Sequence, residues 1–335
     1  MIRRLVGVGL VIAMLAFGIG VYHAAGLLKG GHATVHRPTE VSAPQLPGTL
    51  YMVQGGAIYR FQHGSFTQIT SENGWMQPAT APQNELVAVR RQPNFSDLYL
   101  LTTGGKTVAQ LSHNSSTVSA EENHWTFYPR FSPEGTLLYY DFDPKDYFNS
   151  YRIDLAIFAS PLDANGRAVE WTQPNDYTGG DVTPLPLRGG GLIYTKYSID
   201  DSFQVHGQIW VQKRAHSTGQ ALTAPELGCS EPALSPDEKL IAMVCNKGAS
   251  QTAELDVATF DPDTLTLGSP AALVTGQLVA SPTFSTDGRT IAFLAPSTPG
   301  GGFQLWTVGS SGPASARDIT TDLGLDSTSA PVWVA

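Results

Sequence analysis

The sequence predicts an all-β chain, a six-bladed β-propeller of four-stranded blades, preceded by one N-terminal transmembrane helix. Three observations carry that expectation: a motif that recurs about every fifty residues, apolar strands that do not alternate in and out, and two chain ends that each hold only part of a unit. Composition agrees with it. Only 15% of residues are charged, against 34 glycines and 23 prolines, which suits short strands joined by tight turns better than long surface helices.

The first element is apolar. Residues 5–28, LVGVGLVIAMLAFGIGVYHAAGLL, contain no Asp, Glu, Lys or Arg, and at about 1.5 Å per residue they cross a hydrocarbon core of about 30 Å with some tilt. Arg3 and Arg4 precede the run and Lys29 alone follows it, which orients the N-terminus to the cytoplasm. A cleaved signal peptide is the competing reading, but its apolar region is normally only about 7–15 residues long. Residues 1–29 are therefore expected to be a retained signal anchor, single-pass in the cell membrane, with all that follows extracytoplasmic. Residues 30–47, GGHATVHRPTEVSAPQLP, hold three prolines and no apolar period, so they read as a flexible linker in which His32 and His36 are solvated.

Residues 48–335 are repetitive. The segments EPALSPDEKLIAMV (231–244), YPRFSPEGTLLYYD (128–141) and SPTFSTDGRTIAFL (281–294) share one frame, with weaker versions in QPATAPQNELVAVR (77–90) and TPLPLRGGGLIYTK (183–196). Aligned on Pro78, Pro129, Pro184, Pro232, Pro282 and Pro331, they are spaced by 51, 55, 48, 50 and 49 residues. Each unit reads as a strand, a Ser-Pro-Asp-Gly-like turn, an apolar strand and two further strands, for example 303–308 and 316–320. Proline at the first turn position pre-sets φ, and Gly135, Gly288 and Asn84 stand where a three-residue hairpin loop needs a left-handed residue. Runs such as LIAMV, TIAFLA and TLLYY are apolar throughout, so both strand faces are buried, as when sheets stack on one another.

Four-stranded units at this period predict a propeller. Its closure follows from the ends. APVWVA (330–335) is a first strand with no turn after it. GTLYMV (48–53), AIYRFQ (57–62) and FTQIT (66–70) are three strands with no first strand before them. Joined, they make one composite blade and leave no open edge. With this composite counted as blade one, the internal repeats are blades two to six.

The motif Pro-x-Phe/Leu-Ser-Pro-Asp/Glu-Gly, followed by an apolar strand and a third strand like FQLWTV, resembles the TolB-like repeat, also called the WD40-like or PD40 repeat. YPRFSPEGTLLYY, EPALSPDEKLIAM and SPTFSTDGRTIAFLAP carry the resemblance best. It covers residues 48–335; blades two and four depart from the pattern, blade four with Leu187 and Arg188 where Ser-Pro is usual. The resemblance implies the fold and the repeat class. TolB's additional α/β domain is not expected here, so TolB's own partner does not carry over.

The chemistry legible in the chain is sparse. A net charge of −9 argues against nucleic acid, which needs a basic surface, and two cysteines are too few for a four-cysteine zinc site. Peptidases that join such a propeller to a hydrolase domain need a Gly-x-Ser-x-Gly elbow, and the sequence has none. A channel metal of the lyase or lactonase type needs ligands at equivalent blade positions, whereas His63, His113, His124, His206 and His216 fall in different registers relative to the repeat prolines. Asp141, Asp143 and Asp146 have carboxylates for calcium but lack the Gly turn and bidentate Glu of an EF-hand loop. No catalytic residue, cofactor or metal ligand is assigned on these grounds. Trp75, Trp125, Trp210 and Trp306 recur at repeat positions and read as inter-blade packing.

Two loops between second and third strands, 141–152 and 197–206, mix acids with aromatics on neighbouring blades. Tyr147, Phe148, Tyr151, Asp200, Asp201 and Phe203 are the candidate partner-binding residues; the alternative is that the aromatics pack onto adjacent blades while the acids are solvated. The expectation is a monomeric, non-catalytic binding or scaffold module for a protein, peptide or glycan. The alternative is a polysaccharide-lyase or lactonase type of enzyme with calcium or a transition metal in the channel.

Cys229 and Cys245 bound the stretch CSEPALSPDEKLIAMVC and are equidistant from Asp237. Hairpin pairing about a three-residue turn sets them opposite each other at a hydrogen-bonded pair, with Cα atoms about 5.5 Å apart. Export favours a disulfide there, with a buried free thiol pair as the alternative. Glu238 stands where sister blades have Gly, so the turn is expected to hold a left-handed residue under strain. Alkaline extraction of membranes is expected to leave the intact chain in the pellet; release of a form lacking its first thirty or so residues would show a cleaved signal instead.

Overall fold

The computed structural model describes residues 46–145, 153–161, 167–247, 252–311 and 315–335. The expected span 5–28 lies outside the described residues, and among those described no helix is long and apolar enough to cross a membrane. Six antiparallel sheets follow one another along the chain. Blade one joins Val332–Val334 to Thr49–Gln54, Ala57–Gln62 and Ser65–Gln68. The pairs Thr49–Val334 and Tyr51–Val332 close the ring, as the chain ends predicted. Leu46 packs on the core at this seam, and Trp333 Nε1 donates to the Pro47 carbonyl at 2.8 Å.

The other blades are meanders. Blade two is Trp75–Ala81, Glu85–Arg91, Ser96–Thr102 and Thr107–Gln110; blade three is Thr126–Phe131, Leu137–Phe142, Ala156–Pro161 and Val169–Glu170. Blade four is Asp181–Pro186, Leu192–Ile199, Val205–Gln212 and Gln220–Ala221. Blade five is Cys229–Leu234, Leu240–Cys245 and Glu254–Asp261, with its outer strand in two pieces, Thr266–Leu267 and Ala271–Val274. Blade six is Ala280–Phe284, Thr290–Pro296, Phe303–Gly309 and Arg317–Asp318. Each first strand touches the first strands of both neighbouring blades around the whole ring, so these six strands surround the axis.

The unbroken apolar strands are explained by the core, which is divided into six wedges, one at each blade interface. In blade two, Leu86 and Ala88 face the wedge shared with blade one, while Val87 and Val89 face the wedge shared with blade three. In blade five, Ile241, Met243 and Cys245 pack toward blade four, and Ala242 and Val244 toward blade six. A strand of period two between two dry wedges has no polar face to show. The tryptophans belong to the same packing: Trp75 lies in the one–two wedge, Trp210 against three–four and Trp306 against five–six. Trp125 stacks on Phe127 with ring centroids 6.0 Å apart, and the Arg91 guanidinium lies over it.

The turns of blades two and four have the three residues expected, between Ala81 and Glu85 and between Leu187 and Gly191; those of blades three, five and six are one residue longer. Ser132, Ser235 and Ser285 pair with Leu137, Leu240 and Thr290, their N–H groups donating to those carbonyls at 2.8–2.9 Å, so four residues form each loop. The serine explains the motif. Its Oγ accepts the N–H of the residue that restarts the sheet, at 3.2, 2.9 and 3.0 Å, replacing a ladder bond that the turn interrupts. The left-handed position is occupied as predicted, by Gly135 (φ 70°), Gly288 (φ 72°), Asn84 (φ 60°) and Glu238 (φ 59°). Glu238 is held there by its own carboxylate, which accepts the Arg188 N–H of blade four at 3.0 Å.

Cys229 and Cys245 are bonded to each other. Their Cα atoms are 4.0 Å apart, closer than the hydrogen-bonded spacing expected. The reason is a pair of offsets. The longer turn adds a residue on one strand, and a bulge at Glu231–Pro232 adds one on the other, so residues 229 and 245 still face each other. The alternation of bonded and non-bonded pairs is shifted, however: Asn246 N–H donates to the Gly228 carbonyl, which leaves Cys229–Cys245 at the narrower non-hydrogen-bonded site. Both side chains are fully buried in the four–five wedge. Replacing both cysteines by Ala is expected to lower stability in guanidinium unfolding by about 3 kcal/mol, the value for closing a loop of this length. In the native protein, millimolar reductant is expected to leave the bond intact; rapid native-state reduction would contradict the burial.

Candidate functional site

The residue before each repeat proline builds the centre of the ring. Gln77, Tyr128, Thr183, Glu231 and Ser281 have φ of 50°, 47°, 59°, 51° and 53°. At each, the first strand carries one extra residue, so that this residue and its proline oppose a single residue of the second strand. A bulge takes an N–H out of the ladder, and proline cannot replace it as donor. The freed N–H groups turn to the preceding blade instead. Tyr128 N–H donates to Gln77 Oε1 at 2.9 Å, Thr183 N–H to Asp141 Oδ2 at 3.2 Å and Glu231 N–H to Thr195 Oγ1 at 3.2 Å. Ser281 N–H donates to Glu231 Oε2 at 2.5 Å, and Gln77 N–H to Ser329 Oγ at 3.0 Å. Ser281 Oγ donates to the Ser327 carbonyl at 2.8 Å, which completes a belt of hydrogen bonds through all six blades.

This belt encloses acids and phenols. Burial is the main force raising the Glu231 carboxyl above the usual carboxylate range, partly offset by the Ser281 N–H. Burial likewise pushes Asp141 well up, with the Thr183 N–H opposing and Asp181 reinforcing the shift; its Oδ1 has no hydrogen-bond partner among the described residues. Tyr128 is raised by burial first and then by Glu231, Asp141, Tyr197 and Asp326. Tyr197 is pushed up to about 12 by burial and Glu231. These groups come from blades three, four and five and from the segment before the closing strand, and they meet on the axis. The arrangement places hydrogen-bonding groups on the axis, and burial favours the uncharged form of each.

The sequence candidates lie elsewhere. Tyr147, Phe148, Tyr151 and Asp146 are outside the described residues. Asp200 caps its own loop, its carboxylate accepting the N–H groups of Ser202 and Gln204 at 2.8 and 2.9 Å and facing His206 Nε2 at 2.8 Å; these bonds hold its pKa below the usual range. Asp201 is exposed. Phe203 does not pack onto an adjacent blade: it sits at the hairpin tip with φ 61° and 75% of its surface exposed. Asp141 and Asp143 serve different contacts, Asp143 pairing with Lys145 at 2.8 Å. Among the described residues no three His, Cys, Asp or Glu side chains converge to hold a metal. His124 bonds the Asp143 carbonyl at 2.7 Å, while His63, His113 and His216 are exposed.

The belt residues were not singled out from the sequence. Their signal is positional: Gln, Tyr, Thr, Glu and Ser share one place in the repeat, next to the proline, and no common chemistry.

The architecture is shared with solved structures. TolB from Acinetobacter baumannii superposes with a TM-score of 0.63 at 17% identity, over 87% of this chain and 67% of that one. A putative TolB from Agrobacterium tumefaciens gives 0.56 at 14% identity, over 84% and 91%. A gluconolactonase from Xanthomonas campestris gives 0.52 at 14% identity, over 85% and 89%. No family model and no curated protein sequence matches the chain. At these identities the likeness is one of fold, a TolB-like six-bladed propeller.

A carboxyl with a raised pKa binds more protons in the folded than in the unfolded chain, so its contribution to stability falls as pH rises from the unfolded carboxyl range through the raised folded value. Glu231→Gln keeps an acceptor for the Ser281 N–H and removes the charge. Above that window it is expected to match or exceed the wild type by about 1.4 kcal/mol for each pKa unit of the shift. Glu231→Ala leaves the buried N–H unpaired and is expected to lose about 1–3 kcal/mol at any pH. Thermal unfolding at pH 5 and pH 8 separates the two; a Gln variant weaker than wild type at pH 8 would contradict the assignment.

Proposed function

We propose that the chain is a membrane-anchored, extracytoplasmic propeller of the TolB-like, PD40 repeat class, and that it works as a binding module for a protein, peptide or glycan. The observation that carries this reading is the gathering of exposed apolar side chains on one sector of one face. In a meander, hairpins between second and third strands and crossings between blades lie on the same face, opposite the Ser-Pro-Asp-Gly turns. Ile153, Tyr177, Ile199, Phe203 and Val205 are all on that face at blades three and four, and all are exposed. They are five of the nine exposed large apolar residues among those described, too many for chance scatter around six blades.

The sector is built to hold its shape. The Asp154 carboxylate accepts the N–H groups of Tyr177, Thr178 and Gly179 at 2.8, 2.9 and 3.0 Å. Asn175 Nδ2 donates to the Tyr197 carbonyl at 2.8 Å. The crossing loop is thus clamped between blade three and the long hairpin of blade four, and Asp200 fixes the hairpin tip that carries Phe203. Rigid aromatics on a polar-rimmed face are the usual anchors of an interface, because little entropy is lost when they are covered.

The second reading, a lactonase or lyase type of enzyme using a channel metal, takes its support from the likeness in fold to a gluconolactonase. Elemental analysis of the purified chain distinguishes the two, a stoichiometric metal favouring the enzyme. For the binding reading, the paired substitution Phe203→Ala and Tyr177→Ala is expected to reduce crosslinked partner capture by the full-length protein more than about tenfold, with unchanged thermal unfolding. Equal capture by the folded variant would sink it.

A further inference from the structure

The loop between the third and outer strands of blade four, residues 213–219, has seven residues where blade two uses four, 103–106. Its sequence, KRAHSTG, sets Lys213, Arg214 and His216 close together in a chain of net charge −9. The added length does no work in the sheet, since Val211 already pairs with Gln220 across its base. The loop is nevertheless fixed. The Arg214 carbonyl accepts the Ser217 N–H, the Ser217 hydroxyl and Gln212 Nε2 at 3.2, 2.8 and 2.9 Å. His216 N–H donates to the Trp171 carbonyl at 3.3 Å, which ties the loop to the outer edge of blade three.

Between this loop and Leu265, in the outer hairpin of blade five, lies a cavity of about 390 Å³, within the size range of small-molecule sites. Its lining is of three kinds. Val211 and Leu265 are apolar and buried, Lys213 and Arg214 are cationic and exposed, and Ser217, Thr218 and Gln220 are neutral and polar. No carboxylate is among them, and among the described residues neither Lys213 nor Arg214 has an ion-pair partner. The neutral groups are already committed in part. Gln220 Nε2 donates to the Leu265 carbonyl at 3.0 Å, which leaves its Oε1 as an acceptor. Ser217 gives its hydroxyl proton to the Arg214 carbonyl, and its oxygen accepts the Arg214 N–H at 3.4 Å, so one further acceptor position remains there.

We propose that this cavity binds a sugar acid, a carboxylate carried on a hydroxylated ring. Each part of the lining selects one part of the ligand. The two cations take the carboxylate, Arg214 through a planar fork that matches it bidentately. The acceptors on Gln220 and Ser217 need hydroxyl donors, which acetate and sulfate lack. A site built to bond a hydroxyl discriminates strongly against an analogue without one. Val211 and Leu265 suit the C–H face of the ring, as apolar residues do in sites where a few polar groups fix orientation. The loop and the blade-five hairpin both join a third strand to an outer strand, which puts them on the face of the Ser-Pro-Asp-Gly turns. The cavity is therefore on the opposite face from the apolar sector of blades three and four, and neither site depends on the other.

The test is a saturation-transfer NMR titration of sodium glucuronate and its methyl glycoside into the full-length protein, solubilised in a sugar-free detergent at constant ionic strength. Saturable binding is expected, with methyl glucoside (hydroxyls alone) and acetate (charge alone) each weaker by about tenfold or more. Retained affinity for the methyl glycoside assigns a glycan-borne residue and its loss assigns the free acid; either supports the class. The double substitution Lys213→Gln and Arg214→Gln is expected to weaken glucuronate binding by about tenfold or more. Thermal unfolding is expected to stay unchanged, because both side chains are exposed. The single substitutions provide the comparison if the double variant fails to fold. No saturation by glucuronate or its glycoside, acetate or glucoside binding as tightly, or undiminished affinity in the folded variant would each overturn the proposal.

Discussion

The ring depends on a hydrogen bond that no single blade can make. Five first strands carry an extra residue before a proline, in a left-handed conformation that costs about 1–3 kcal/mol where the residue is not glycine. Such a conformation persists only when its surroundings over-determine it. Here the surroundings are the neighbouring blade, which supplies the acceptor for the displaced N–H: Gln77 for Tyr128, Asp141 for Thr183, Thr195 for Glu231, Glu231 for Ser281 and Ser329 for Gln77. Hydrophobic wedges bring the blades together without specifying their angular order. The belt is directional and adds that specification, since each blade's strained residue is satisfied only by the blade before it.

Much of this architecture was legible because it is repeated. Proline spacing gave the blade boundaries, the unbroken LIAMV and TIAFLA runs gave two-sided burial, and the complementary fragments at the ends gave the closing blade. Cys229 and Cys245 were paired correctly, although by an argument in which a turn too short by one residue and an unforeseen bulge cancelled. The belt was not legible. A bulge depends on register, and register is set by both strands together. Nothing in Gln77, Tyr128, Thr183, Glu231 and Ser281 as residue types says that their N–H groups leave the ladder. Phe203 was singled out for composition, but its exposure depends on the hairpin extending past the wedge, which periodicity does not report.

The channel and the loop face divide the polar and apolar resources of the molecule. On the axis, carboxylates and phenols are enclosed by protein and shifted toward their protonated forms. On the face of blades three and four, apolar side chains project from loops braced by Asp154 and Asp200. The first environment recognises charge and hydrogen-bonding groups in a confined space, the second recognises area. A single partner could engage both only by placing a narrow, charged element over the axis while resting a broader one on the sector beside it.

The seam has a mechanical consequence. The chain enters the ring at Leu46 and Pro47 and closes it with Val332–Val334, and this seam is joined by three residue pairs and one indole bond to the Pro47 carbonyl. Any pull arriving from the N-terminal side is therefore delivered first to Trp333 and then to the three-pair ladder that closes the circle. The other five blades are each continuous in the chain and lie behind that joint. Under load the ring would fail as a clasp does, at its fastening, and the indole bond acts as the strain relief that takes up tension before the strands are loaded.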